Sequence, residues 1–203
     1  MGSFAVLWPV SALVILALGV LAGCSATGKV AGILIDSRGR CSLTHVQVVA
    51  WTVLILSAFA ATLVASNFDL SKAKLSTDLL GLMGIAAGSA VLSTGVKAVK
   101  DAPGSAAKVA RDGTAVPAVG TAAATTIRVK FAQIWLEEEG DFADRVVSIT
   151  KFQNFIFTLV ALATFVSLAM SVGGLPTAMP ENFLALLGIS HAGYVGGKIP
   201  DKK

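Results

Sequence analysis

The chain has 203 residues, 55% of them hydrophobic and only 14% charged, against about 25% charged in typical soluble domains. With a mean hydropathy of +0.78, an ordinary soluble domain is excluded. The net charge of +4 lies outside the apolar stretches, so it reads as membrane topology rather than affinity for nucleic acid.

The first apolar stretch, residues 4–23, holds no Asp, Glu, Lys or Arg. It is long enough to cross ~30 Å of hydrocarbon as a helix of roughly 20 residues. Leu21-Ala22-Gly23-Cys24 resembles a lipobox, but Met1-Gly2-Ser3 lacks the basic residues of a secretory signal, so an uncleaved helix is expected. Gly19 and Gly23 form a G-x-x-x-G step suited to close helix contact. Residues 23–30 nearly spell a phosphate loop, but Val30 stands where Ser or Thr would hold magnesium.

Residues 24–45 carry Lys29, Arg38 and Arg40, with Cys24 and Cys41. On a reducing side of the membrane these thiols form no disulfide. The second stretch, 46–66, is preceded by Thr44-His45-Val46-Gln47, a Thr-x-x-Gln capping box at a helix start. Thr150-Lys151-Phe152-Gln153 precedes the fourth stretch, 152–172, in the same way. Gln47 and Gln153 have a second reading, as a polar ring at the mouth of an oligomeric pore. The third stretch, 79–96, is somewhat short, and Gly84 and Gly88 mark it for packing against protein.

Residues 101–127 are rich in Ala, Gly and Pro and read as a linker. The run from Ile127 to Leu136 mixes basic and apolar residues, as in a segment lying on the membrane surface. Glu137, Glu138, Glu139, Asp141 and Asp144 follow. Their spacing is not that of an EF-hand, and docking of a basic partner is the favoured functional reading. The fifth stretch, 182–197, is the shortest and most polar, and a re-entrant segment is its rival reading. It carries Gly193 and Gly197 at G-x-x-x-G spacing, together with Ser190 and His191. An ionisable group inside a span is a functional hypothesis by default. Here a neutral histidine bonding a neighbouring helix is favoured over a proton, ligand or metal role.

Two apolar stretches form a unit that occurs twice. Ser42, Thr44, Gln47, Thr52, Leu56 and Phe59 recur 106 residues on as Ser148, Thr150, Gln153, Thr158, Leu162 and Phe165. Residues 80–85 recur in weaker form as 184–189. The expected fold is an all-α integral membrane protein with five transmembrane helices. An N-terminal helix (1–23) is followed by a parallel tandem repeat of two-helix units (24–100 and 128–203), joined by the linker. Segments 24–45, 97–151 and 198–203 hold fourteen of the sixteen Lys and Arg, leaving Lys72 and Lys74 on the other side. The excess places those segments in the cytoplasm, with the N-terminus outside and the C-terminus inside.

Phe152-Gln153-x4-Thr158 and Leu187-Gly188-Ile189-Ser190-x3-Tyr194-x3-Lys198 resemble a pattern in uncharacterised bacterial inner-membrane proteins. The resemblance covers the last third of the chain and, more weakly, residues 35–97, where Ala86 replaces the Ser and no Tyr follows. It implies a bacterial inner-membrane location and no particular activity.

The charge-free stretches offer hydroxyls and one histidine, with no carboxylate or lysine to activate them, so an enzyme is not expected. The expected function is a subunit that anchors or scaffolds a larger membrane complex. Its partners are the lipid bilayer, other membrane subunits or further copies of itself, and a soluble cytoplasmic protein. No nucleic acid, cofactor or metal is expected. The alternative is an oligomeric channel whose filter uses backbone or hydroxyl groups.

Overall fold

The structure is a computed structural model that describes residues 2–100, 110–111, 114–115, 129–139, 144–180 and 182–199. Five helices dominate it: α1 (Gly2–Thr27), α2 (Leu43–Ala65), α3 (Thr77–Lys100), α4 (Ile149–Val172) and α5 (Phe183–Gly196). Short 3-10 turns at Gly32–Leu34 and Phe131–Ile134 precede α2 and α4. A two-residue ladder pairs β1 (Ala110–Arg111) with β2 (Thr114–Ala115).

Four helices, α1 to α4, are long and apolar enough to cross a membrane, the composition of a multi-pass membrane protein. The fifth apolar stretch forms a shorter helix than the other four. At 1.5 Å per residue, the 14 residues of α5 span ~21 Å, short of the ~30 Å hydrocarbon core. The break has a local cause. The residues from Gly173 to Pro180 form no helix, and Asn182 opens α5 in the left-handed region at φ 63°.

The helix ends alternate, so one end of the bundle gathers the end of α1, the start of α2, the end of α3, the start of α4 and the end of α5. Loop segments 28–42, 129–139 and 144–148 cover this end as a cap. α2 packs against α1, α3 and α4, and α5 packs against α3 and α4.

Away from the cap the interior is apolar. Ile55, Ala58 and Ala61 of α2 face Ala161, Phe165 and Ala169 of α4, all fully buried in one cluster with Leu79 and Leu82 of α3. Alanine on the facing helices admits close backbone approach, which replaces the hydrophobic drive that lipid removes. Trp8 of α1 sits edge-on to Phe165 at 6.2 Å between ring centres. Its indole N–H donates to Ser57 Oγ at 2.8 Å, giving a buried polar atom the partner it requires. Leu175 N–H donates to Thr62 Oγ1, and Met179 N–H to Asp78 Oδ2. These bonds fasten the 173–180 loop to α2 and α3.

The G-x-x-x-G positions divide. A Cβ on Gly23 would lie 2.7 Å from the Ile33 backbone nitrogen, and one on Gly32 would lie 2.4 Å from the Gly23 carbonyl oxygen. The chain after α1 therefore folds directly onto the helix backbone, and only glycine fits at the crossing. Gly19 faces Ile33 at 3.5 Å. Gly84, Gly88 and Gly193 meet nothing within 4 Å, and Gly197 approaches only Thr150 and the last turn of α5. Close packing expected at Gly84, Gly88 and Gly193 is thus corrected within this chain, because those positions face outward.

Candidate functional site: an ion-paired cap over a polar half-core

Both cap loops are built on one hydrogen-bond plan. In the first, Ser42 N–H donates to the Leu34 carbonyl and Asp36 N–H to the Arg40 carbonyl, around an isolated bridge between Ile35 and Cys41. In the second, Ser148 N–H donates to Trp135 and Glu137 N–H to Val146, around a bridge between Leu136 and Val147. Each loop ends in an extended serine that serves as N-cap of the next helix, Ser42 for α2 and Ser148 for α4. Asp36 Oδ1 accepts from the Arg38 and Arg40 amides, and Gly39 supplies the left-handed turn residue at φ 73°.

The capping boxes expected at Thr44–Gln47 and Thr150–Gln153 are corrected. The caps fall two residues earlier, which releases the Thr-x-x-Gln side chains from the helix start. Thr44 Oγ1 instead lies 3.1 Å from the Tyr194 hydroxyl, and Gln47 Nε2 donates to Thr158 Oγ1 at 2.6 Å. Gln47 is only 1% exposed, while Gln153 is exposed. The two glutamines therefore differ in direction, Gln47 pointing into the protomer and Gln153 away from it.

The acidic run is also redirected. Glu138 gathers Lys151 Nζ at 2.7 Å, Lys97 Nζ at 3.3 Å, Lys198 Nζ at 3.4 Å and Arg38 at 3.5 Å. One carboxylate thereby joins the first loop to the ends of α3, α4 and α5. Lys97 also pairs with Asp36. Glu139 holds Arg38 at 2.9 Å and Lys100 at 2.8 Å. Arg40 forks onto Asp144 at 2.8 and 2.6 Å, the bidentate geometry that makes such pairs strong. Glu138, Glu139 and Asp144, the carboxylates of the expected docking site, bind the chain's own cations. Asp141 lies outside the described residues. The run expected along the membrane surface is drawn into this cap: Gln133 and Ile134 are buried, and Gln133 Oε1 accepts from the Cys41 amide.

Burial alone would raise the Glu138 carboxyl, but the ammonium groups of Lys151, Lys97 and Lys198 outweigh it and hold the group well below the usual carboxylate range. It is an ionised partner, not a proton donor near neutral pH. Burial lowers Lys198 to about 8, against the pull of Glu138 and with the push of Lys97. Its ammonium also donates to Ser93 Oγ at 2.9 Å and lies 4.6 Å over the Tyr194 ring. Burial pushes the Cys41 thiol up, and Asp36 adds to it, so Cys41 is no thiolate nucleophile. Both cysteines are free. Among the described residues no group of three His, Cys, Asp or Glu side chains is placed to hold a metal ion. A cavity of about 60 Å³ is lined by Lys97, Glu138, Lys151 and Lys198 among others.

Below the cap the interior stays polar for roughly half the bundle. Asn154 Oδ1 accepts from Ser190 Oγ at 3.2 Å, and Thr158 Oγ1 donates to the Asn154 carbonyl. Gln47 Oε1, Asn154 Nδ2, Ser89 Oγ and His191 Nδ1 are buried without a partner. The helix–helix hydrogen bond expected of His191 is not made by Nδ1.

The ion cluster itself was missed in the sequence, which showed its lysines only as flanks of apolar stretches. One usable signal was present: the first loop is basic at Arg38 and Arg40, and the second is acidic from Glu137 to Asp144. No family model, curated protein or solved structure matches the chain.

Proposed function

We propose that the chain is a non-enzymatic membrane subunit that anchors or scaffolds a larger assembly, built as one N-terminal helix and a duplicated two-helix unit. The observation that carries this reading is the Glu138 cluster. It ties three helix ends and the first loop into one plate and leaves broad apolar faces outward, among them Leu80, Val91 and Leu92 of α3 and Ile189 of α5. A rigid cap with open helix flanks suits a part that others pack upon. The duplication is supported by the shared loop plan: the first arms of the two loops are 101 residues apart (Ile35 and Leu136), and the second arms 106 (Cys41 and Val147). The cap, rich in Lys and Arg, is cytoplasmic in this reading, within a bacterial inner membrane.

Gly84 and Gly88, with nothing against them, are the contact positions offered to a second subunit or second copy. The test is native mass in mild detergent, with cysteines at Gly84 and Gly88 cross-linked in intact membranes. A discrete adduct to another membrane protein or to a second copy supports the anchor. A monomer with no adduct at either position, or ion flux through the purified protein in vesicles, overturns it.

A further inference from the structure

The cap cavity is walled by more positive charge than its own carboxylates offset. Lys97, Lys100, Lys151 and Lys198 all line it. Together with Arg38 they share Asp36, Glu138 and Glu139 as ion-pair partners. Even with Glu137, which also lines the cavity, four carboxylates face five cations. A buried charge left uncompensated is costly, and an anion is the compensation such a wall accepts. Hydrogen-bonding capacity is left over too. An ammonium group carries three N–H donors. Lys151 donates to the Leu136 carbonyl and faces Glu138, both at 2.7 Å. Lys198 donates to Ser93 Oγ and to Glu138, and Lys100 to Glu139 alone. At least one N–H therefore remains on each. Ser148 Oγ and Thr150 Oγ1, also on the wall, lie 3.3 Å apart. Only one of them donates to the other, so one hydroxyl hydrogen stays available. Burial lowers Lys198 to about 8 even beside Glu138, as expected where the carboxylate does not cover the charge. Thr150 is exposed, so solvent reaches the wall there.

We infer that this cavity binds one small oxyanion of the phosphate class, either free phosphate or the phosphate of an anionic lipid head, held by Lys100, Lys151 and Lys198 with a hydroxyl of Ser148 or Thr150. Ammonium groups hold phosphate as point charges, and the hydroxyl adds a directed donor. A metal cation is a poor occupant, since four ammonium groups line the wall and repel it. The site stands apart from the anchoring reading, because neither Gly84 nor Gly88 lines it.

The test follows the thermal midpoint at which Cys41, buried in the cap, reacts with a thiol dye. The full chain, as Cys24→Ser in a maltoside detergent, is titrated with inorganic phosphate against sodium chloride of equal ionic strength. A ligand that binds only the folded state raises the midpoint with its concentration. The expected result is a saturable rise with phosphate and none with chloride. Lys100→Gln, chosen because Glu139 keeps Arg38, should weaken the apparent affinity about tenfold by removing a charged hydrogen bond. Lys72→Gln, which removes a charge 67% exposed on the α2–α3 loop, should leave it unchanged. A second arm places the chain in phosphatidylcholine nanodiscs containing phosphatidic acid and reads retained lipid by native mass spectrometry. One retained phosphatidic acid, lost in Lys100→Gln, assigns the anion to a lipid. A phosphate response without such retention assigns it to a soluble phosphate. The wild-type titrations decide even where Lys100→Gln fails to fold. Neither a phosphate response above chloride nor retained phosphatidic acid overturns the site. So does an equal response in wild type and Lys100→Gln, or an equal loss in Lys72→Gln, which marks general charge attraction.

Discussion

Glu138→Gln removes one negative charge and little else. In the native cap that carboxylate faces Lys151, Lys97 and Lys198 at 2.7 to 3.4 Å and is 13% exposed. Lys97 keeps Asp36, and Arg38 keeps Glu139, so those two cations lose little. Lys151 and Lys198 make no other ion pair among the described residues. Removing one partner of a buried ion pair costs about 3–5 kcal/mol because a charge is left uncompensated. Residual exposure and the Leu136 carbonyl, which accepts from Lys151 at 2.7 Å, favour the lower end, near ~3 kcal/mol. For a chain of this length that corresponds to a fall of about 6–12 °C in Tm. The assay is thermal exposure of Cys41 to a thiol dye in detergent, in a Cys24→Ser background, since Cys41 is buried within the cap. An unchanged midpoint for Glu138→Gln would refute the idea that this carboxylate holds the helix ends together.

The same residue sets an acid limit. Its folded pKa lies well below the ordinary 4.5, so its stabilisation is complete above that value and is lost as pH falls through the folded one. The wild type therefore loses stability below pH 4.5 by a component that Glu138→Gln lacks, read as the difference between their Tm-against-pH curves. Gln47→Ala is expected to cost about 1–3 kcal/mol by removing the buried amide that donates to Thr158 Oγ1, whereas Gln153→Ala stays within about 0.5 kcal/mol as a surface change. Equal effects in thermal unfolding would restore the paired-cap reading. Gly23→Ala places a Cβ 2.7 Å from backbone and should destabilise by about 1–3 kcal/mol, while Gly84→Ala, facing open space, leaves the Tm of the isolated chain unchanged or slightly raised.

The apolar helices were legible because hydropathy reports directly on the solvent they face. Four of the five predicted crossings correspond to helices of sufficient length, and the fifth stretch showed its weakness in its own polarity at Ser190 and His191. The cap was not legible, for a physical reason. Lys97, Lys151 and Lys198 flank apolar runs, as snorkelling lysines do, and nothing local distinguishes a solvated ammonium from one turned inward onto Glu138. The capping boxes misled for a related reason. Thr44 and Gln47 fit the local motif, but α2 starts at Leu43 behind Ser42, and tertiary partners Tyr194 and Thr158 compete successfully for their side chains. Small-residue spacing likewise marks a helix face without saying whether it meets its own chain, as at Gly23, or open space, as at Gly84.

That the two loops are locked by reciprocal ion pairs is tested most directly by a charge-exchange cycle on Arg40 and Asp144, whose bidentate contact spans 104 residues of sequence. Arg40→Glu and Asp144→Arg, each alone, should lower the Tm of cap opening. Combined, they should recover a substantial part of the loss, with a coupling energy of about 1.5–3 kcal/mol for a charged hydrogen-bonded pair. A double variant no more stable than the sum of the singles would mean that the loops do not meet in this way.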